Sequence, residues 1–268
     1  MKYLKSCLAV LLLLGASAAW GAPDRGQELF GVFLRNLAPE KAYFQLSSAP
    51  RENGYIPWGY LECVNADVRG MRIRSLKMDC FDAQVTPPAQ WAGMEHPRVE
   101  SMLACHAEAT FTEDDVNDFL RRHVFGHEKE WQNVQVKMSD GRINATAYYR
   151  ADLRLMRLKI RLDLSCRIVP RGTALWLDDI QLKVNRQDVS TGMVEKALQK
   201  IQPFIDMKKY NLPLYLSKVE FRNGQCSVHS RILPKPLPGG LRWDYAASQP
   251  EKSAAEKRAS WNGAGARR

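Results

Sequence analysis

Residues Met156–Ile168, MRLKIRLDLSCRI, alternate without a break. Met156, Leu158, Ile160, Leu162, Leu164, Cys166 and Ile168 are apolar, and Arg157, Lys159, Arg161, Asp163, Ser165 and Arg167 between them are polar or charged. A period of two sends successive side chains to opposite faces, so the stretch reads as a β-strand with one dry face and one wet face. At about 3.3 Å per residue it runs roughly 43 Å, far beyond a usual strand of about 5–6 residues. Such a strand needs partners of similar length and a cover for its dry face. The expected fold is α+β, a long curved antiparallel sheet packed on or wrapped around amphipathic helices.

The flanking sequence supplies both. Upstream, Val134–Met138 and Arg142–Tyr149 read as strands joined at Ser139-Asp140-Gly141. Downstream, Pro170 ends the long strand, Arg171-Gly172 turns the chain, and Ala174–Val184 returns with Ile180, Leu182 and Val184 in alternation. A helix is predicted over Met193–Ile205, its stripe formed by Val194, Ala197, Leu198, Ile201 and Ile205. Leu214–Phe221 and Gln225–Ile232 form a hairpin about Asn223-Gly224, a strong two-residue turn signal.

The N-terminal half repeats the theme. Residues 27–37, QELFGVFLRNL, make an amphipathic helix, followed by a short strand over Tyr43–Leu46. Tyr55 and Trp58 then suit either a core edge or a membrane surface. Strands over Tyr60–Val68 and Arg72–Val85 meet near Gly70. Met71 and Ile73 are out of phase with Leu76, Met78 and Cys80, which predicts a β-bulge near Arg74 or Ser75. The Pro-rich loop 87–97 carries Trp91 and Met94 as expected exposed apolar residues. A strand over Arg98–Ala109 leads to FTEDDVNDFL, where Thr112 and Asp115 have the spacing of a helix capping box.

The chain opens with Lys2 and Lys5, an apolar run Cys7–Leu14 and small residues Gly15–Ala19, the pattern of a secretory signal peptide over residues 1–21. Cleavage after Gly21 and after Ala19 both satisfy the small-residue rule, and an uncleaved signal anchor is the alternative. Loss of 21 residues and two lysines from a chain of 268 with formal charge +10 leaves 247 residues at about +8. The remainder divides into one domain over 22–237 and a disordered basic tail over 238–268. Export places it in the periplasm or cell envelope. Its positive charge suits acidic headgroups or polymers, with nucleic acid disfavoured by export.

Five cysteines follow the leader: Cys63, Cys80, Cys105, Cys166 and Cys226. None forms a C-x-x-C, so no zinc ribbon or thioredoxin-type site is encoded. Cys63 and Cys80 flank the Gly70 turn and are a possible disulfide. Cys80, Cys105 and Cys166 also suit the roles of small core residues. His123 and His127 are four apart, but no third metal ligand is specified and Gly126 ends the helix between them. No nucleotide-binding, hydrolase or metalloprotease motif is present, so the reading is non-catalytic, without cofactor or metal.

The order of pieces resembles the LmeA-like phospholipid-binding family of bacterial envelope proteins over residues 27–235. Its marks here are Phe111, Thr112, Asp115, Asn117 and Leu120 in "F-T-x-x-D-x-N-x-x-L", and the closing "L-P-L-x-L-x-x-V-x-F-x-N-G" over Leu212–Gly224. The five cysteines, the Trp- and Pro-rich loop and the basic tail depart from that pattern. The resemblance implies a fold like the tubular lipid-binding proteins and an apolar groove for phospholipid or another anionic amphiphile, with peripheral membrane contact. Groove candidates are Leu158, Ile160, Leu162 and Leu164 on the long strand and Val194, Leu198 and Ile201 on the second helix. Headgroup candidates are Arg157, Lys159 and Arg161. The alternative is an envelope assembly protein that binds an acidic polymer or a protein partner and carries no lipid.

Overall fold

The computed structural model describes residues 24–94, 97–124, 130–139, 141–153, 156–199, 202–203 and 205–247. Helix α1 (Arg25–Leu37) leads into β1 (Lys41–Leu46), β2 (Tyr55–Val68), β3 (Met71–Val85) and β4 (Val99–Thr112). After α2 (Glu113–Phe119) come β5 (Trp131–Ser139), β6 (Arg142–Leu153), β7 (Met156–Arg171), β8 (Ala174–Val184) and the short β9 (Gln187–Asp188). Helix α3 (Thr191–Leu198), β10 (Ile205–Asp206), β11 (Leu216–Arg222), β12 (Gln225–Ser230) and β13 (Leu241–Ala246) complete the order. Among the described residues the strands form two open antiparallel sheets, β11-β12-β4-β3-β2-β1-β13 and β10-β8-β7-β6-β5, with β9 beside β8. The leader over 1–21 and the His127 end of the histidine pair lie outside the described residues.

The alternating stretch is strand β7, sixteen residues long. Its ladder with β6 is unbroken from Ile143↔Cys166 to Leu153↔Met156. The strands of the other sheet are as long, fourteen residues in β2 and β4 and fifteen in β3. The expected bulge at Arg74 or Ser75 is absent: β2 and β3 keep one register from Tyr55↔Gln84 to Val68↔Met71. The phase changes instead through Asn65, at φ 54°, across from Arg74. Both Cys63 and Ala66 therefore reach the same core although three residues apart. Asp82, at φ 46°, makes a second such turn in β3. Asn and Asp tolerate this left-handed region better than other side chains.

Helix α1 is capped by Asp24, whose carboxylate accepts from Gly26 N (3.0 Å) and Gln27 N (3.2 Å). It ends where Ala38 turns left-handed and donates to Leu34 O. Leu29, Phe30 and Val32 are buried, with Phe30 stacked 5.5 Å from Phe44 on β1. Each such side chain contributes about 1.5–3 kcal/mol of apolar burial. Trp243 on β13 lies against Gly26 so closely that a Cβ there would stand 2.2 Å from the indole. Only glycine admits that contact. The expected disordered tail thus begins too early: its first part is an edge strand, paired from Lys41↔Ala246 to Leu46↔Leu241, while 248–268 lie outside the described residues.

Two further expectations change, and one open alternative resolves. Trp91 is 1% exposed rather than a loop-surface residue, because Pro88–Gly93 folds as a 3-10 turn and the indole N–H donates to Thr86 O at 2.6 Å. Trp58 takes the core-edge option and is buried. The second helix stops at Leu198, not Ile205, and Ile205 belongs to a strand. Pro203 lies inside the predicted span and disfavours helical backbone in the residue before it.

The capping box at α2 is present: Thr112 Oγ accepts from Asp115 N at 3.2 Å, and Asp115 accepts from Thr112 N at 3.0 Å. The same carboxylate, itself buried, takes Arg74 of β3 at 2.7 Å. Asn117 donates to Val136 O (2.9 Å) and accepts from Val136 N (2.7 Å), and Glu113 accepts from Met138 N at 2.9 Å. Helix α2 therefore caps the free edge of β5 with its side chains and fastens one sheet to the other. The β11–β12 hairpin turns through Asn223 and Gly224, both with positive φ (52° and 70°), as a primed two-residue turn requires.

Candidate functional site

Helix α1 covers β1, β2 and β13 but not the inner face of β3 and β4. A cavity of about 600 Å³ remains between the helix and the sheet. Its helix wall is Leu29, Phe33 and Leu37; its floor includes Leu61, Met78, Cys80, Ala83 and Val85; Val99, Met102 and Leu212 close the far side. The lining is overwhelmingly apolar. At the β2–β3 turn, next to the C-terminal end of α1, the polar residues Asn36, Asp67 and Arg69 join it. The side chains of Tyr60 and Asp79, which also border it, are engaged elsewhere: Tyr60 donates to Glu62 at 2.9 Å, and Asp79 meets His106 Nδ1 at 2.7 Å. Burial and the Glu62 partner push the Tyr60 phenol above its ordinary pKa, so it stays neutral.

The cavity is continuous with a second apolar cluster. Met78, Met102 and Leu212 also pack against Cys105, Ala107, Leu175, Leu214 and Leu216, which brings Ile168 of β7 and Leu175 of β8 to the first sheet. Beyond them lie the groove candidates on β7, which line neither this cavity nor the smaller hollow described below. There Leu158 is 42% exposed, and Ile160, Leu162 and Leu164 are half-buried. Val194 of α3 is buried. Leu198 ends α3, its side chain outside the described set, and Ile201 lies outside the described residues. The cavity lies under α1, on residues that alternation along β7 does not point to. The signals for it were present separately: the stripe of helix 27–37 and the L-P-L run whose Leu212 closes the cavity.

Two of the three expected headgroup residues are committed to neighbours. Arg161 donates to both oxygens of Asp163 (2.8–3.0 Å), and Lys159 lies 4.3 Å from the Tyr148 ring centre. Arg157 sits on β7, but its side chain is outside the described set. Further along the row Arg167 and Arg171 pair with Asp179 and Asp178, both at 3.6 Å. These contacts tie strands together on the wet face.

The possible Cys63–Cys80 disulfide is not formed, and both are free thiols. Cys63 stands opposite Leu76 and Cys80 opposite Gly59, four residues along the ladder and roughly 13 Å at about 3.3 Å per residue. A disulfide requires Cα atoms within about 7 Å. Cys80 instead faces Cys105 on β4. Burial pushes Cys63, Cys105 and Cys226 up to about 12 and Cys80 to about 11, so all are unreactive core thiols at neutral pH.

Among the described residues no group of His, Cys, Asp and Glu is disposed to hold a metal ion, and no helix is long and apolar enough to cross a membrane. Compared with known protein families, curated proteins and solved structures, the chain matches none.

Proposed function

We propose that this is an exported cell-envelope protein that binds phospholipid or a similar amphiphile without catalysis, in an apolar groove of tubular-lipid-binding type, as its LmeA-like motifs imply. The observation that carries the reading is the apolar cavity between α1 and the first sheet. Liquid water occupies about 30 Å³ per molecule, so about 600 Å³ has room for roughly 20 groups of methylene size, one acyl chain. Burying such a chain at about 0.8 kcal/mol per methylene gives ample gross driving force. A second chain lies along the half-buried Ile160, Leu162 and Leu164, reached through the cluster around Met78 and Met102. The headgroup lies at the polar end of the cavity, beside Asn36, Asp67 and Arg69.

The test is native mass spectrometry of the protein purified with minimal detergent, followed by lipid extraction. A stoichiometric amphiphile mass is expected. A bare mass that stays bare after incubation with phospholipid vesicles overturns the reading and favours an assembly protein.

A further inference from the structure

The two sequence segments that wall off the cavity also present large apolar side chains to solvent. Leu103, next to the cavity residue Met102 on β4, is 71% exposed; Tyr215, just beyond Leu212, is 62% exposed; and Ile232, after β12, is 59% exposed. They converge on one surface hollow of about 220 Å³, lined also by Pro213 and Arg231. The convergence is built into the backbone. Asn211 donates to Val99 O at 3.0 Å, Leu214 bridges to Cys105, and Arg231 N donates to Tyr215 O at 3.3 Å. Leu233, 53% exposed, extends the same segment.

Charge identifies the occupant. Segments 98–106, 207–216 and 230–238 hold Arg98, Lys208, Lys209, Arg231 and Lys235 against the single carboxylate Glu100, and all six side chains are exposed. On the wet face of β7, by contrast, Arg161, Arg167 and Arg171 each pair with an aspartate. Exposed leucine, isoleucine and tyrosine beside Arg231, on segments that carry four further cations, is the composition that settles in the interface of an anionic bilayer. A protein partner would be met by an acidic apolar surface, a narrower requirement.

We infer that Leu103, Tyr215, Ile232 and Leu233, with Arg231 and the other cations of the same segments, form the surface that docks this protein on an anionic membrane. Met102 and Leu103 point to opposite faces of β4, so lipid reaches the Val99, Met102 and Leu212 side of the cavity around the edge of that strand, beside the docked face. The inference rests on the cavity being a lipid site, and the two are read by separate measurements.

Docking is measured by flotation with vesicles of phosphatidylcholine alone and of phosphatidylcholine with phosphatidylglycerol. Wild type is expected to float with the anionic vesicles only, and less as salt rises. Leu103→Asp with Ile232→Asp, and separately Lys208→Glu with Lys209→Glu, are each expected to weaken binding about tenfold or more, since each cation near such a surface contributes roughly fivefold and two are removed in the second variant. These positions are exposed, so thermal melting should not move. Native mass spectrometry of the same variants should still find co-purified lipid, which separates failure of docking from failure of the cavity. The inference is overturned if no vesicle is bound, if Lys159→Glu weakens binding while the Leu103 and Ile232 changes do not, or if those changes instead abolish self-association in sedimentation, which would make the face a contact between protein chains.

Discussion

Filling the cavity is the sharpest test of what it is for. Val99 sits on its far side, half-buried, at the start of β4. Val99→Phe adds four carbon atoms that the empty volume can hold without displacing backbone. If an acyl chain occupies that volume, about four methylenes are excluded, roughly 3 kcal/mol at about 0.8 kcal/mol each. Affinity should fall about two-hundredfold. The same four carbons, buried against Met102 and Leu212, should leave the melting temperature unchanged or higher, because a void is being filled. The assay is displacement of a fluorescent fatty-acyl probe, read beside a thermal melt. Leu162→Asp on the half-buried face of β7 serves as the partner variant, expected to weaken a two-chain lipid more than a single-chain one. Unchanged probe affinity in Val99→Phe, with the melt showing a folded protein, would refute the reasoning, because a ligand that ignores four carbons in the cavity is not in it.

The junction between the sheets carries a pH signature. Burial alone would raise the Asp115 carboxyl, but hydrogen bonds from Thr112 and Arg74 outweigh it and hold it below its ordinary value of 3.8. A depressed folded-state pKa stabilises the protein above the ordinary value and ceases to do so as pH falls through the folded one. Urea midpoints should therefore drop as the medium is acidified below the usual Asp range, and Arg74→Gln should flatten that dependence. Thr112→Ala should cost about 1 kcal/mol at neutral pH, the usual worth of an N-cap side chain; an unchanged midpoint would mean the cap is not supporting α2. Thiol titration offers an independent check on the core: Cys63, Cys105, Cys166 and Cys226 should react with a disulfide reagent only after unfolding, and prompt reaction of these four in the native state would contradict their burial.

What the sequence determined by itself are the features set by neighbours along the chain. Strict alternation made β7 a long strand, since no other regular backbone sends every second side chain to the same side. Thr112 with Asp115 and Asn223 with Gly224 set a helix start and a hairpin turn through bonds and dihedrals a few residues in extent. Even Pro203 is a legible stop, although the apolar spacing runs across it. The tertiary structure alone decided which apolar face came to line a cavity. Leu29, Met78, Val99 and Leu212 lie far apart in sequence and meet only because α1 leaves β3 and β4 uncovered and the segment before β11 returns to their edge. It likewise buried Trp91, enlisted Leu241–Ala246 as an edge strand, and moved Cys80 from Cys63 to Cys105, through register that depends on pairing partners. Asn117 shows the division most plainly: a helical asparagine by local reading, it becomes a strand partner for Val136 once two sheets are brought together. Such contacts depend on loop closure over tens of residues, and nothing in the spacing of neighbouring side chains encodes which closure is made.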